Sequence, residues 1–450
     1  MPIIFVILTA LFILYKWAVY NLDAIGTYFD TTSYAMVADV PLLDKRFWLR
    51  ERPFTIPLFY KLLGVRGELY LLPSKVFEWI THFQLIISIV SWIVLGLAVA
   101  KAMRGKWVKT AAYTTVLLFA GAIDLSQWDR LLLSESLSLS LFALFLALFI
   151  LGFQYWERLW RAKSPKREMM LILFLLVTTL YAFTRDVNAY FVFFATIIIA
   201  VYSWFRLRGL KTLRIALSIV VLLFMIFLAQ LVSSDVGHRW FGPFRNVFFA
   251  RILPTDQAME YFLDAGLPLE AQERTQLKGY DRVQFMEVFS SPSYQAVNEW
   301  LMENGRSVYL AYLLNDPIAS LTAPVQDIVH LVSPDSTEYR KPIKDTPGWL
   351  ISLSRILFPR SLLIALLLPL ISGALILFTA GRQTLQAWWI VPYLLLLTVY
   401  PLMFIVFHGD AIELERHALQ ISMQVRLAGW MLLLALVDVI ASKMRYSKVF

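Results

Sequence analysis

Five groups of polar side chains interrupt an otherwise apolar chain, and their residue types suit acid–base and phosphate chemistry. They comprise Asp30 to Tyr34 with Arg50 to Pro53, Asp124 to Arg130 with Glu135, Thr184 to Asn188, Arg245 with Asn246 and Arg251, and His408 to His417. A carboxylate can act as a general base or accept hydrogen bonds from the hydroxyls of a ligand. An arginine can hold a phosphate through paired, charge-assisted hydrogen bonds. Whether these groups meet depends on the elements that carry them.

The composition predicts an integral membrane protein. Hydrophobic residues form 59% of the 450 residues, mean hydropathy is +0.64, and only 16% of the chain is charged. Soluble domains carry about 25% charged residues. The net charge of +9 comes from basic residues beside apolar runs, which argues against nucleic-acid binding. The chain has no cysteine, which excludes disulfides and thiolate chemistry.

Ten apolar runs approach the roughly 20 residues that are needed to cross a bilayer. We predict spans over Pro2–Tyr20, Phe83–Ala100, Val108–Ile123, Leu133–Phe153, Met169–Phe183, Tyr190–Phe205, Leu213–Val232, Leu357–Ala380, Trp388–Phe407 and Ala418–Ala441. Basic clusters follow every second span, and they include Lys101 to Lys109, Arg158 to Arg167, Arg206 to Arg214, Arg382, and Lys443 to Lys448. The positive-inside rule makes that side cytoplasmic, so both termini are expected inside and the five polar groups outside.

The predicted fold is therefore all-α, with about ten transmembrane helices and a small helical extracytoplasmic domain. We expect an N-terminal membrane module over residues 1–232, an extracytoplasmic segment over 233–356 and three further spans over 357–450. The first outer loop contains apolar stretches around Phe47 and Phe59 that are too short to span, and Pro53 and Pro57 break them. Helices lying along the membrane surface fit these stretches. Lys16, Trp17 and Tyr20 are expected to anchor the outer end of the first span at the interface.

Each polar group also has a purely structural explanation. Arg185 with Asp186, and Glu413 with Arg416, could be ion pairs at ordinary surface loops. His408 and His417 flank carboxylates, but their spacing matches no standard metal-ligand pattern, and no metal site is expected there. We favour a functional site because the groups converge on one side of the membrane, where ionisable residues near the bilayer are costly to retain.

The order of these motifs resembles the GT-C superfamily of membrane glycosyltransferases, which use polyprenyl-phosphate sugars as donors. Asp30 stands in the first outer loop, where that family places its catalytic acid, and Arg52-Pro53-Phe54 resembles its arginine–proline stretch. The resemblance is completed by Glu135-Ser136-Leu137, by Arg185-Asp186, and by a late motif with Asp410, Glu413, Arg416 and His417. The resemblance covers the first seven predicted spans best. Asp30 is followed by threonines where many members have a second acid, so a tightly bound divalent metal is not expected.

The resemblance implies an inverting transfer of a hexose or pentose from a polyprenyl-phosphate donor to an acceptor hydroxyl, without a cofactor, at the outer face of a bacterial cytoplasmic membrane. Asp30 would be the catalytic base. The donor phosphate would be held by Arg185, Arg52, Arg251, Arg416 and His417. The sugar or acceptor would be held by Tyr34, Asp129, Glu135, Asp186, Asp410 and Glu413. The acceptor is a lipid, glycan or protein.

Two other classes of membrane protein stay open. A flippase or transporter of lipid-linked glycans would also have many spans and charged residues, although it often has paired halves and helices broken at mid-membrane. A glycan ligase or polymerase would share the lipid-linked donor but transfer a whole chain.

The cysteine-free sequence permits a direct test of the orientation. Single cysteines at Ser164 and Ser291 should react with an impermeant maleimide from opposite sides of the membrane, with Ser291 outside. Labelling of both positions from one side would contradict the ten-span topology.

Overall fold

The structure is a computed structural model that describes residues 2–19, 26–65, 67, 74–161, 165–206, 210–333, 348–379 and 387–447. Several residues of the predicted spans and basic clusters lie outside these ranges: Tyr20, Lys163, Ser164, Arg208, Ala380, Arg382 and Lys448, together with residues 334–347 of the expected extracytoplasmic segment.

The described chain is built from helices, as expected. In chain order they are α1 (Pro2–Val19), α2 (Phe29–Asp39), α3 (Lys45–Trp48), α4 (Thr55–Leu62), α5 (Ser74–Ala102), α6 (Lys106–Gly121), α7 (Ile123–Ser126), α8 (Ser134–Arg161), α9 (Pro165–Ala182), α10 (Asp186–Arg206), α11 (Leu210–Val236), α12 (Phe241–Val247), α13 (Asp256–Asp264), α14 (Ala271–Lys278), α15 (Arg282–Phe289), α16 (Gln295–Trp300), α17 (Arg306–Asn315), α18 (Pro317–Gln326), α19 (Ile328–Val332), α20 (Gly348–Leu357), α21 (Leu362–Thr379), α22 (Ile390–Leu397), α23 (Val399–Gly409), α24 (Leu414–His417) and α25 (Leu419–Ser447). A 3₁₀ turn over Gln127–Arg130 follows α7, and π-helical turns over Phe248–Ile252 and Leu301–Gly305 follow α12 and α16.

Within the described residues, seven helices are long and apolar enough to cross a membrane. They are Lys75–Ala102, Ser134–Gly152, Asp186–Phe205, Ala216–Val236, Leu362–Thr379, Ile390–Gly409 and Leu419–Met444. An eighth span is formed if α6 and the segment Ile123–Arg130, which meet at a 55° bend, cross together. The apolar helices Ile3–Ala18 and Glu168–Ala182 are shorter and fill the two remaining predicted positions. The expected count of ten is therefore not confirmed, although a helix lies at every predicted span.

The described residues divide into two compact units. Unit 1 comprises Met1–Gly237, Asp335–Leu402 and Gln420–Phe450, and unit 2 comprises His238–Pro334 and Met403–Leu419. The expected N-terminal module and the last spans thus share one unit. The segment over 233–356, which is expected to be extracytoplasmic, overlaps unit 2, but α20 belongs to unit 1 and the stretch from Met403 to Leu419 belongs to unit 2.

Helix α8 is the most deeply buried span of unit 1 and packs closely against α5. Small side chains such as Ser138, Ser140 and Ala143 are buried on several sides of it, and Ser138 accepts a hydrogen bond from Asn188 on α10 at 2.9 Å. Small residues of this kind let membrane helices pack closely. Farther along, the rings of Phe145, Phe149 and Phe174 stack in the same core.

The last spans join unit 1 through buried polar contacts. Gln420 on α25 donates to the Tyr181 hydroxyl at 2.6 Å, and Gln424 donates to Thr398 at 2.7 Å. The buried Arg426 guanidinium donates to the Pro359 carbonyl, with its Nη2 2.6 Å from that oxygen. The Arg426 contact fixes the break between α20 and α21 against α25.

The expected interfacial role of Lys16 is wrong. Its Nζ lies 2.6 Å from the Asp129 carboxylate, and both side chains are almost fully buried. Ser136 donates to the other Asp129 oxygen at 2.6 Å. Trp17, which is 52% exposed, is compatible with an interfacial position. Lys16 turns inward because an ion pair offsets the cost of burying either charge.

Unit 2 has a core of its own, to which α12 to α16 and the two π-helical turns contribute. Fully buried residues at its centre include Val247, Phe248, Met259, Phe262, Leu277, Phe285, Phe289 and Leu301. The helices are short because Gly266, Gly279 and Pro292 interrupt them, so the unit depends on packing more than on helix length.

Candidate functional site

Asp30 and Arg52 form an ion pair at the start of α2. The Arg52 Nη2 lies 2.6 Å from Asp30 Oδ1, and the Arg52 Nε donates to the Ser33 hydroxyl at 2.7 Å. The side chains of Asp30 and Arg52 are 19% and 25% exposed. Asp30 also stands in the first turn of α2, where the helix dipole favours a negative charge. The pair is therefore held in place yet reachable by a ligand.

Two hydrogen bonds fix the segments that carry this pair. The Thr31 hydroxyl donates to the Leu132 carbonyl at 2.8 Å, which ties α2 to the loop before α8. The Thr55 N–H donates to the Phe183 carbonyl at 3.2 Å, which ties α4 to the end of α9. Thr31 thus holds the backbone, which gives a physical reason why a second acid does not follow Asp30.

The end of α11 supports the turn that contains Arg52. The Ser233 hydroxyl donates to the Trp48 carbonyl at 2.9 Å. Gly237 approaches the same turn so closely that a Cβ atom there would lie 2.4 Å from the Arg50 carbonyl oxygen. Only glycine permits this approach, so the backbone on which Arg52 stands has little room to shift.

Glu135 and Arg185 form a second acid–arginine pair in unit 1. The Arg185 Nη1 lies 3.2 Å from Glu135 Oε1, and their side chains are 10% and 0% exposed. Glu135 is in the first turn of α8, three residues after Leu132, and Arg185 comes two residues after Phe183. The two backbone ties described above therefore bring the Glu135–Arg185 pair into the neighbourhood of the Asp30–Arg52 pair.

Two tyrosines form the wall behind Arg52. The Arg52 guanidinium lies 5.1 Å from the centre of the buried Tyr34 ring, and that ring meets Tyr60 edge to face. Burial, with smaller contributions from the charges of Tyr34 and Asp30, raises the pKa of Tyr60 well above its ordinary value. The Tyr60 hydroxyl therefore stays protonated and donates to the Leu132 carbonyl at 3.3 Å.

Asp129 and Asp186 have protein partners of their own. Asp129 is engaged by Lys16 and Ser136, and its side chain is 4% exposed. Asp186 accepts a hydrogen bond from Gln230 at 2.5 Å. The geometry favours a structural role for Asp129, while the sugar contact expected of Asp186 stays a prediction.

In unit 2, Asp410 collects hydrogen bonds from three neighbours. His417 Nε2 lies 3.2 Å from Asp410 Oδ2, and Oδ1 accepts from the Asn246 amide at 3.0 Å and from the Ile412 N–H at 2.9 Å. Burial alone would raise the pKa of Asp410, but His417 and the other donors hold it below its ordinary value. This contribution to stability is present above the ordinary pKa of aspartate and is lost as the pH falls through the lower folded-state pKa.

Arg416 and Glu413 form the ion pair that the structural alternative expects, with Nη1 and Oε2 at 2.7 Å. Arg416 is buried, and Glu413 adopts a left-handed conformation with φ of 56°. Such a conformation is uncommon for glutamate and marks a tight reversal before α24.

Arg251 stands in a π-helical turn, and its guanidinium lies 3.6 Å from the centre of the Phe407 ring. Burial lowers the pKa of Arg251, while the negative charges of Asp327 and Asp410 oppose that shift. Among the described residues, no hydrogen-bond acceptor is placed for its buried Nη1. A buried cationic donor of this kind is compatible with the predicted phosphate contact. Its position in a π-helical turn is a second indication, because such turns often occur at functional sites.

Over the described ranges, no group of three or more acidic or histidine side chains is arranged to hold a metal ion. His408 instead bonds to Tyr309 and to the Ser320 carbonyl. The expectation that no divalent metal is tightly bound stays a prediction.

An apolar groove of about 310 Å³ lies between α1, α6 and α20 in unit 1. Leu8, Leu117 and Leu353 contribute to its walls, and Ser354 lies at its lining. The Ser354 hydroxyl donates to Asp124 at 3.1 Å, and Arg360 lies 3.7 Å from the same carboxylate. The groove thus combines an apolar lining with a charged margin.

Sequence reasoning did not identify Lys16 or Gln230 as partners of the predicted site residues. Lys16 ends an apolar helix, where lysine usually extends toward the interface, and Gln230 stands within a span. An ionisable residue inside an apolar run does carry a general signal, since such residues usually have a partner. The identity of that partner depends on tertiary packing.

No family model matches this sequence, and no curated protein matches it. Among solved structures it is similar to the oligosaccharyltransferase AglB of Archaeoglobus fulgidus in complex with an inhibitory peptide and a dolichol-phosphate, with 11% identity and a TM-score of 0.49, over 99% of this chain and 52% of that chain. It is also similar to the apo form of the Archaeoglobus fulgidus oligosaccharyltransferase, with 12% identity and a TM-score of 0.47, over 99% and 51% of the two chains. The chain spans about half the length of these structures. Neither likeness assigns a family or a reaction to it.

The Glu135–Arg185 pair permits a test that separates stability from ligand binding. Arg185→Met should lower the free energy of unfolding by about 3–5 kcal/mol, because the buried Glu135 carboxylate loses a partner. The double variant Arg185→Met with Glu135→Leu should recover most of that loss in thermal unfolding.

The same variants should be titrated with a polyprenyl-phosphate sugar. If Arg185 holds the phosphate, the double variant regains stability without regaining affinity. Glu135→Leu alone, which keeps Arg185, measures the part of the affinity that Glu135 contributes through the sugar, and the double variant should bind more weakly than it does. Recovery of both properties in the double variant would leave Arg185 only a structural role.

Proposed function

We propose that this protein is a membrane glycosyltransferase that moves one sugar from a polyprenyl-phosphate donor to an acceptor hydroxyl, with inversion at the anomeric carbon. The reaction would take place at the extracytoplasmic face of a bacterial cytoplasmic membrane. Asp30 is the proposed catalytic base, and Arg52 and Arg185 are the first candidates for the donor phosphate.

The observation that carries this proposal is the pairing of acids with arginines on one framework. Two backbone ties in unit 1 bring the Asp30–Arg52 pair near the Glu135–Arg185 pair. The first pair is partly exposed and the second is buried. One carboxylate is therefore reachable as a base, and two guanidinium groups stand nearby for an anionic leaving group.

The proposed step is a direct displacement. The acceptor oxygen attacks the anomeric carbon as its proton passes to Asp30. The bond from that carbon to the phosphate oxygen breaks, and its electron pair stays on the departing polyprenyl phosphate. Cations placed in advance stabilise the charge that grows on this leaving group.

Arg52 can couple binding of the donor phosphate to proton transfer at Asp30. A guanidinium has five N–H donors, so it can hold Asp30 and a phosphate oxygen together. When a phosphate shares the charge of Arg52, less of that charge opposes proton transfer to Asp30. Binding of the donor would thereby prepare the base.

The lipid part of the donor requires an apolar path. The groove between α1, α6 and α20 has a volume within the ordinary range of ligand pockets, which is about 300–1,000 Å³. We assign the polyprenyl chain to this groove. Arg251, Arg416 and His417 remain proposed phosphate contacts, and Tyr34, Glu135, Asp186, Asp410 and Glu413 remain proposed sugar or acceptor contacts.

Asp30→Asn should reduce turnover by about a hundred- to ten-thousand-fold, because a positioned general base typically contributes that much. The variant should keep its thermal stability within the range of Asp39→Asn, a matched control on the exposed end of the same helix. The assay follows transfer of labelled sugar from a panel of polyprenyl-phosphate hexoses and pentoses. Near-normal transfer by Asp30→Asn would remove Asp30 from the proposed role.

A further inference from the structure

A row of exposed apolar side chains runs along α17, α18 and α19 in unit 2. It comprises Leu310, Leu314, Ile318, Leu321, Val325 and Val329, whose exposed fractions range from 47% to 75%. Within α18 the spacing from Ile318 to Leu321 and Val325 is three and four residues, which places these three side chains on one helical face. We call this row the apolar edge.

The apolar edge contains few charged residues. From Leu310 to Val329 the only ionisable acids or bases besides tyrosine are Asp316 and Asp327. The Asp316 carboxylate caps α18 by accepting from the Ala319 N–H at 3.0 Å, and Asp327 lies 2.6 Å from His330 at the far end of the edge. Elsewhere in unit 2, by contrast, the exposed residues of α13 to α15 include Asp256, Glu260 and Lys278. Unit 2 therefore has one apolar exposed region and one charged exposed region.

Hydrogen bonds connect the apolar edge to the end of a candidate membrane span. His408 is the penultimate residue of the span Ile390–Gly409. Its Nε2 lies 2.9 Å from the Ser320 carbonyl on α18, and its Nδ1 lies 2.9 Å from the Tyr309 hydroxyl on α17. A carbonyl can only accept, so Nε2 carries a proton, and in the neutral ring Nδ1 would accept from the Tyr309 hydroxyl. Both α17 and α18 are thereby fixed at the level where the span ends.

We propose that the apolar edge inserts among the acyl chains of the membrane leaflet in which the Ile390–Gly409 span ends. An exposed apolar row of this length is uncommon on a surface that faces water. An amphipathic helix that lies in the membrane interface buries such a row in the leaflet. The occupant is the lipid leaflet itself, because α17 and α18 are hydrogen-bonded to the end of a membrane span and the exposed row from Leu310 to Val325 is apolar, with the Asp327–His330 pair only at its far end.

This placement has a consequence for the neighbouring polar groups of unit 2. Asp410 follows His408 by two residues, and Arg251 stacks on Phe407, which precedes it. If the apolar edge sits among acyl chains, these two charged groups lie at the depth of the lipid head groups. The inference does not depend on any enzymatic activity.

The cysteine-free chain permits a test in the full-length protein. Single cysteines at Ile318 and Leu321 are labelled with bimane, and the protein is reconstituted into phosphatidylcholine vesicles whose acyl chains carry bromine. Val283 on α15 is the matched control. Its side chain is also aliphatic and is 65% exposed, but its neighbours in sequence, Arg282 and Gln284, are polar. Vesicles without bromine give the reference fluorescence.

We expect both α18 probes to lose most of their fluorescence in brominated vesicles, and the Val283 probe to lose little. Equal quenching at all three positions, or no quenching on α18, would overturn the proposal. If the α18 probes lost as much fluorescence in vesicles without bromine, the loss would come from contact between probes on two copies of the chain. The occupant would then be a second protomer, and the proposal would be overturned. Normal sugar transfer by the labelled protein is not required for either outcome.

Discussion

An ionised side chain among apolar helices is costly unless a partner offsets its charge, and this constraint organises unit 1. Lys16 is paired with Asp129, and Arg185 with Glu135. Farther along the chain, Asp438 on α25 accepts hydrogen bonds from the backbone N–H groups of Arg104 and Gly105. Each of these contacts joins segments that are distant in sequence. Asp30 and Arg52 also offset each other's charge, but their side chains are more exposed than those of the other two pairs. For this reason we propose that the transfer reaction takes place at the Asp30–Arg52 pair.

The positions of the membrane helices could be predicted from the sequence because backbone groups in hydrocarbon must be satisfied within the helix, which forces long apolar runs. Their ends were harder to place. Helix α5 begins at Ser74, nine residues before the predicted Phe83, since its first turns contain Lys75 and Glu78 and extend beyond the apolar run. The break at Thr398 between α22 and α23 was also not predictable, because no charged residue interrupts the apolar run there.

The candidate site was predicted in part. Asp30 and Arg52 were singled out by their resemblance to GT-C motifs in the first outer loop, and the structure brings the two side chains together. The partner of Arg185 was not predictable, because Glu135 is 50 residues away and Asp186 is adjacent in sequence. Asp410 and His417 could be grouped by proximity in the chain, whereas Asn246, which completes their hydrogen bonds, is brought in by the packing of unit 2. Local patterns thus identify which residues are costly, and tertiary packing decides which partner each one meets.

The central claim is that the bond between sugar and phosphate is broken at the Asp30–Arg52 pair. The most direct measurement uses purified protein in vesicles that contain a polyprenyl-phosphate sugar labelled separately in its lipid and its sugar, together with a mixture of hydroxyl-bearing acceptors. The account predicts that free polyprenyl phosphate and a glycosylated acceptor appear together and in equal amounts. Intact donor that has only moved to the other leaflet would contradict the account and would identify a flippase instead.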